Sequence, residues 1–94
     1  MKRLYMTAYR YRQNLGEEDL RRLTKKFAEL GTAPGVLAHY ERLDGMGGFM
    51  IEDVSEDAER SYELTIRYSP WIEMEVFPIT TIEEAFPVIQ RVYG

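Results

Sequence analysis

The feature that most constrains this chain is the order in which two apolar periodicities succeed one another. "RLYMTAYRYR" (3–12) alternates, with Leu4, Met6 and Ala8 on one side and Tyr5, Thr7, Tyr9 and Tyr11 on the other, which predicts a strand. "GEEDLRRLTKKFAELG" (16–31) changes period. Leu20, Leu23, Phe27 and Leu30 form one helical stripe, Glu17, Glu18 and Asp19 suit the positive end of the helix dipole, and Gly31 is the stop. Arg21 and Arg22 stand four residues after Glu17 and Glu18, the spacing of a solvated, ion-paired face. "GVLAHYERL" (35–43) and "GFMIEDV" (48–54) read as strands, and "SEDAERSYELTIRYS" (55–69) as a helix capped by Ser55, with Glu56 and Asp57 in its first turn. That helix ends before Pro70, because the residue preceding proline avoids helical angles. "WIEMEVFPI" (71–79) alternates again. "TTIEEAFPVIQRVYG" (80–94) carries a capping box, Thr81 with Glu84, and an apolar stripe, with a kink expected at Pro87.

The order is β-α-β-β-α-β with a further C-terminal helix. This predicts an α+β protomer of the ferredoxin-like kind, a four-stranded antiparallel sheet with helices on one face. No repeat, linker or low-complexity run divides it, so residues 1–94 read as a single domain.

Three glycines in "ERLDGMGGFMIED" (41–53) invite comparison with a phosphate-cradling loop. Such a loop needs a helix after it, with backbone nitrogens turned to the phosphate, and here a strand follows. Asp44-Gly45 between two alternating segments is a hairpin signal instead.

Composition narrows the function classes. A net charge of −4 gives no general attraction to nucleic acid or to an anionic membrane. No window approaches the roughly 20 apolar residues of a membrane span, and the start of the chain lacks the apolar core of a signal peptide. Cysteine is absent, which removes thiolate catalysis and thiolate metal sites and fits a cytoplasmic protein. A single Asn and nine Arg against three Lys lean toward a thermophile, or equally toward a GC-rich genome.

Placing the aliphatic residues of every strand against the helices puts Leu4, Met6, Ala8, Val36, Ala38, Tyr40, Phe49, Ile51, Ile72, Met74 and Val76 on that side. Tyr5, Thr7, Tyr9, Leu37, His39, Glu41, Met50, Glu52, Trp71, Glu73, Glu75 and Phe77 are then left on the free face. Such a face is too apolar to lie bare and too polar for a dry core. Two copies packed face to face would enclose it, burying Trp71, Phe77 and several tyrosines.

"GGFMIEDVSEDAERSYE" followed by "YSPWIEMEVFPI" resembles the signature of an uncharacterised bacterial family, domain of unknown function 3303, within the dimeric α+β barrel superfamily. Gly47, Gly48, Phe49, Glu52, Trp71, Glu75, Pro78 and Ile79 carry the resemblance, which extends over essentially the whole chain. It implies a homodimeric barrel and supplies no catalytic residues. Superfamily members include cofactor-independent monooxygenases, haem-degrading enzymes, muconolactone isomerases and stress-response barrels. The haem-degrading type is similar only poorly, because its ligand histidine lies on a helix, whereas His39 is on a strand.

A two-residue Gly45-Met46 loop pairs Glu41 with Met50 and His39 with Glu52. A Met46-Gly47 loop would set His39 opposite Val54. The first register is favoured, because glycine at the leading loop position suits a type II′ turn that Asp44 can brace. It gives a proton-transfer pair, His39 as base and Glu52 orienting it, or, as the commoner outcome for such a residue, a satisfied histidine in a polar cavity wall. Tyr5, Thr7, Tyr9, Glu41, Met50 and Trp71 are the accompanying ligand-binding candidates. With one His and no Cys, a metal site from His39, Glu41 and Glu52 is disfavoured, and no cofactor is expected. The expected function is binding of a small, partly apolar ligand inside the barrel. The alternatives are a monooxygenase or isomerase using His39, and a filled barrel serving only assembly.

Overall fold

The computed structural model describes residues 3–55 and 57–94. In chain order the elements are β1 (Leu4–Tyr11), α1 (Glu17–Leu30), β2 (Val36–Glu41), β3 (Gly47–Asp53), α2 (Ala58–Tyr68), β4 (Ile72–Ile79) and α3 (Ile82–Tyr93). The four strands form one antiparallel sheet in the order β2-β3-β1-β4. This is the ferredoxin-like arrangement with an added C-terminal helix. Among the described residues no helix is long and apolar enough to cross a membrane.

Local sequence chemistry sets the element ends. Gly16 caps α1, its N–H donating to Asp19 Oδ2 at 2.9 Å, and Gly31 ends it at φ +64, a conformation glycine adopts without strain. Asp57, not Ser55, caps α2, accepting from the Arg60 N–H at 2.9 Å, while the Ser55 N–H turns back to Asp53. The expected first-turn Glu56 lies outside the described residues. Thr81 caps α3 by accepting from the Glu84 N–H, and α3 runs on through Pro87 without interruption. At that position proline deletes a single helical bond early in the helix, so no restart is needed.

The β2–β3 hairpin departs from expectation in two ways. Its loop has four residues, Leu43 to Met46, built on a turn in which the Gly45 N–H donates to the Arg42 carbonyl at 3.0 Å. Gly45 has φ +73, and Asp44 braces the turn by accepting from the Met46 N–H at 3.0 Å. The longer loop slides the register by two residues, so His39 faces Met50 and Glu41 faces Gly48. At the other end a bulge between Val36 and Ala38 inserts Leu37. That extra residue keeps Val36 on the helix side and reverses the parity of everything after it.

Relative to expectation the sheet shows its faces the other way round on β1, on β3 and on β2 beyond the bulge. Tyr5, Thr7, Tyr9 and Tyr11, His39 and Glu41, and Met50 and Glu52 face the helices, alongside Ile72, Met74 and Val76 as expected. The free face carries Leu4, Met6, Ala8, Tyr40, Phe49, Ile51 and Phe77, with Met6 opposite both Ile51 and Phe77. It is more apolar than expected, and Tyr40 and Phe77 on it are exposed. The core lies between the sheet and the first two helices, centred on Tyr9, Ala33, Leu64, Tyr68 and Ile72. Helix α3 contributes nothing to it. None of its side chains is buried, and the chain is drawn out to 54 × 28 × 17 Å.

Candidate functional site

A cavity of about 860 Å³ opens between the sheet and helices α1 and α2. Seven of the eight site residues expected from sequence line it: Tyr5, Thr7, Tyr9, His39, Glu41, Met50 and Glu52. Trp71 does not. It is half-buried outside β4, packed against the core cluster, beside Arg22, Lys25, Lys26 and Glu29 of α1.

At one end a hydrogen-bonded group spans three strands. Tyr9 Oη lies 2.7 Å from His39 Nε2 and donates to Glu41 Oε1 at 3.1 Å, while Tyr11 Oη donates to Glu41 Oε2 at 2.6 Å. Tyr9 on β1 reaches β2 because the residue between them on β3 is Gly48. A Cβ there would run into the Tyr9 ring and hydroxyl and the Tyr40 carbonyl. Of the three glycines in the hairpin segment, Gly45 makes the turn and Gly48 makes the site.

The phenol of Tyr9 has one hydrogen. Donating it to the carboxylate leaves the oxygen to accept from His39, which must then carry its proton on Nε2. Burial, and then the neighbouring Glu41 charge, raise the Tyr9 pKa, so the phenol stays protonated. Tyr11 is pushed up to about 12, by burial first and then by its hydrogen bond to Glu41. The rings pack edge-on, Tyr9 against His39 at 5.6 Å and His39 against Phe27 of α1 at 6.1 Å between centroids.

The expected His39–Glu52 pair is not made. Its premise was the two-residue loop, and the four-residue loop sets Glu52 one row further along the strand. Glu52 is instead buried deeper in the cavity, accepting from Ser61 Oγ of α2 at 3.0 Å. Among the described residues no group of three His, Asp or Glu side chains is placed to hold a metal ion.

Several lining residues escaped the sequence reading, among them Tyr11, Phe27, Ser61, Leu64 and Tyr68. Tyr11 continues the parity of Tyr5, Thr7 and Tyr9. Ser61 shares a helical stripe with Leu64, Thr65 and Tyr68, and a hydroxyl on a stripe facing the core was the available signal. Tyr68 also ties α2 to the end of α1, donating to the Gly31 carbonyl at 2.7 Å.

A family described as "domain of unknown function (DUF3303)" matches residues 3–93. The chain belongs to this family. None of the curated proteins matches it. In this member of the family Gly48, Tyr9 and Glu41 form one row across β3, β1 and β2, so part of the glycine-rich segment bears directly on the cavity.

Proposed function

We propose that the protein is a homodimeric, cytoplasmic small-molecule-binding protein whose ligand occupies the cavity between the sheet and helices α1 and α2. The volume carries this reading. About 860 Å³ lies within the usual range for ligand sites, about 300–1,000 Å³, and weighs against a protomer filled by its own side chains. The walls are apolar and aromatic, with a few polar groups converging at two places, which suits a partly apolar ligand with a polar handle. Dimerisation is supported by the exposed free face of the sheet, where Phe49 and Phe77 stand bare, and by the amphipathic, uncovered α3.

A thermal-shift screen of aromatic and lactone-type metabolites tests the ligand reading. A binder should raise the melting temperature in proportion to occupancy, and Met50→Trp, which fills the cavity, should abolish the rise. A rise that survives Met50→Trp would place the ligand elsewhere.

A second reading, proton-transfer catalysis, rests on the Tyr9–His39 hydrogen bond. There His39 acts as base, with Tyr9 and not Glu52 holding its tautomer. Turnover of a bound metabolite that disappears in His39→Gln, with binding retained, would support it; turnover unchanged by that substitution would remove it.

A further inference from the structure

The deep end of the cavity holds two polar groups that the fold does not satisfy. Glu52 is 8% exposed, yet among the described residues its carboxylate has one hydrogen bond, from the neutral Ser61 hydroxyl to Oε1. Thr7 is 5% exposed, and its hydroxyl has no hydrogen-bond partner among the described residues. Neither is sealed away as an orphan in the protein interior, because among the described residues no fully enclosed polar side-chain atom lacks a partner. Both open onto the cavity. They are neighbours: Tyr5 pairs with Glu52 and Thr7 with Met50, so Thr7 and Glu52 sit diagonally on one face of β1 and β3.

A buried carboxylate ordinarily has a cation or several donors beside it. Here no cationic side chain lies within ion-pair distance of Glu52 among the described residues. Among the described residues the other titratable acids and bases lining the cavity, besides the tyrosines, are Arg3, His39 and Glu41. Glu41 is occupied by two tyrosine hydroxyls and His39 by one. Arg3 is an exposed residue one row from Glu52 on the side of Tyr5 away from Thr7, and among the described residues it makes no ion pair with Glu52. Tyr5, directly across from Glu52, adds an aromatic ring to the same part of the lining.

We propose that the cavity selects a small organic cation, an amine whose ammonium group is received by Glu52 and the Thr7 hydroxyl while its apolar body lies along Met50, Leu64 and Val76. An ammonium brings three donors and a charge, which the carboxylate and the hydroxyl together accommodate. A carboxylate ligand in the same place would meet Glu52 with like charge. This inference rests on the ligand-binding reading above and specifies the class of ligand.

Three probes with one apolar body test it: 4-phenylbutylamine, 4-phenylbutanol and 4-phenylbutanoate, titrated calorimetrically at neutral pH. The amine should bind at least tenfold more tightly than the alcohol or the carboxylate. In Glu52→Gln, which keeps the shape and the bond to Ser61, amine affinity should fall at least tenfold and alcohol affinity stay within about threefold. The ranking on the unaltered protein needs no variant to fold. Binding of the alcohol or the carboxylate as tightly as the amine overturns the cationic selectivity and leaves the cavity a ligand site. Binding of none of the three at millimolar concentration overturns both readings.

Discussion

Tyr9 on β1 and His39 on β2 meet across the whole width of β3, 2.7 Å from phenol oxygen to imidazole Nε2, over a residue with no side chain. Gly48 is what permits the meeting. Gly48→Ala should force the Tyr9 ring off its position, because the Tyr40 carbonyl on the other side cannot yield. Overpacking of this kind costs about 1–3 kcal/mol, to be read from denaturant unfolding. Gly45→Ala, where the difficulty is a φ of +73 with nothing in the way, should cost about 1–2 kcal/mol. An unchanged midpoint for Gly48→Ala would show that the Tyr9 ring does not lie over this position.

The same contact fixes a proton. With Tyr9 donating to Glu41, His39 should carry hydrogen on Nε2, visible in nitrogen-15 spectra of the ring at a pH where it is neutral. Tyr9→Phe should release that preference and cost about 0.5–1.5 kcal/mol, a modest amount because His39 and Glu41 can be rehydrated at the exposed end of the site. A tautomer ratio identical in the two proteins would dissociate His39 from Tyr9.

Alkaline pH should weaken the fold by a known route. Tyr11 is held up to about 12 from an ordinary value of 10.0, by burial and by its bond to Glu41, and Tyr9 is raised too. Between pH 10 and about 12 the unfolded chain has lost protons that the folded chain keeps. Stability from these tyrosines is therefore complete below pH 10 and declines through that window. Glu41→Gln should lower the Tyr11 titration, followed by phenolate absorbance, and make the alkaline decline smaller, ending at lower pH. A Tyr11 titration indifferent to Glu41→Gln would leave burial as the sole cause.

Dimerisation should depend on the free face of the sheet. Phe77→Glu places a charge beside Met6 at the centre of that face, facing solvent in the protomer. It should leave the far-ultraviolet dichroism of the protomer intact and yield monomers by light scattering at micromolar concentration. Removal of residues 81–94, a helix with no buried side chain in the protomer, should act in the same direction. A dimer that withstands Phe77→Glu would have to use another surface.

Much of the fold was legible because it depends on local chemistry. Helix periodicity, acidic first turns, Gly31 and the capping threonine each act over a few residues, and the element order follows from them. Which residues would share a cavity was also legible, since side chains alternating on a strand stay together whichever way the strand faces. Where that cavity lies was not. The assumption that aliphatic side chains turn to the helices failed on β1, β3 and β2 beyond Val36, where the side facing the helices carries tyrosines, Thr7, His39, Glu41 and Glu52 around an open space.

The sequence by itself determined the βαββαβ order, the position of the hairpin and the grouping of Tyr5, Thr7, Tyr9, His39, Glu41, Met50 and Glu52 on one face. Tertiary structure decided which side of β1 and β3 meets the helices, and two small events of backbone geometry decided how β2 lies against them. A four-residue loop in place of two slid β2 against β3 and gave His39 a tyrosine for a partner instead of Glu52. One extra residue at Leu37 turned the remainder of β2 over. Both are non-local outcomes. The side-chain period of a strand is two, so a single inserted residue reverses every side chain beyond it, and which register wins depends on packing against strands and helices far away in sequence.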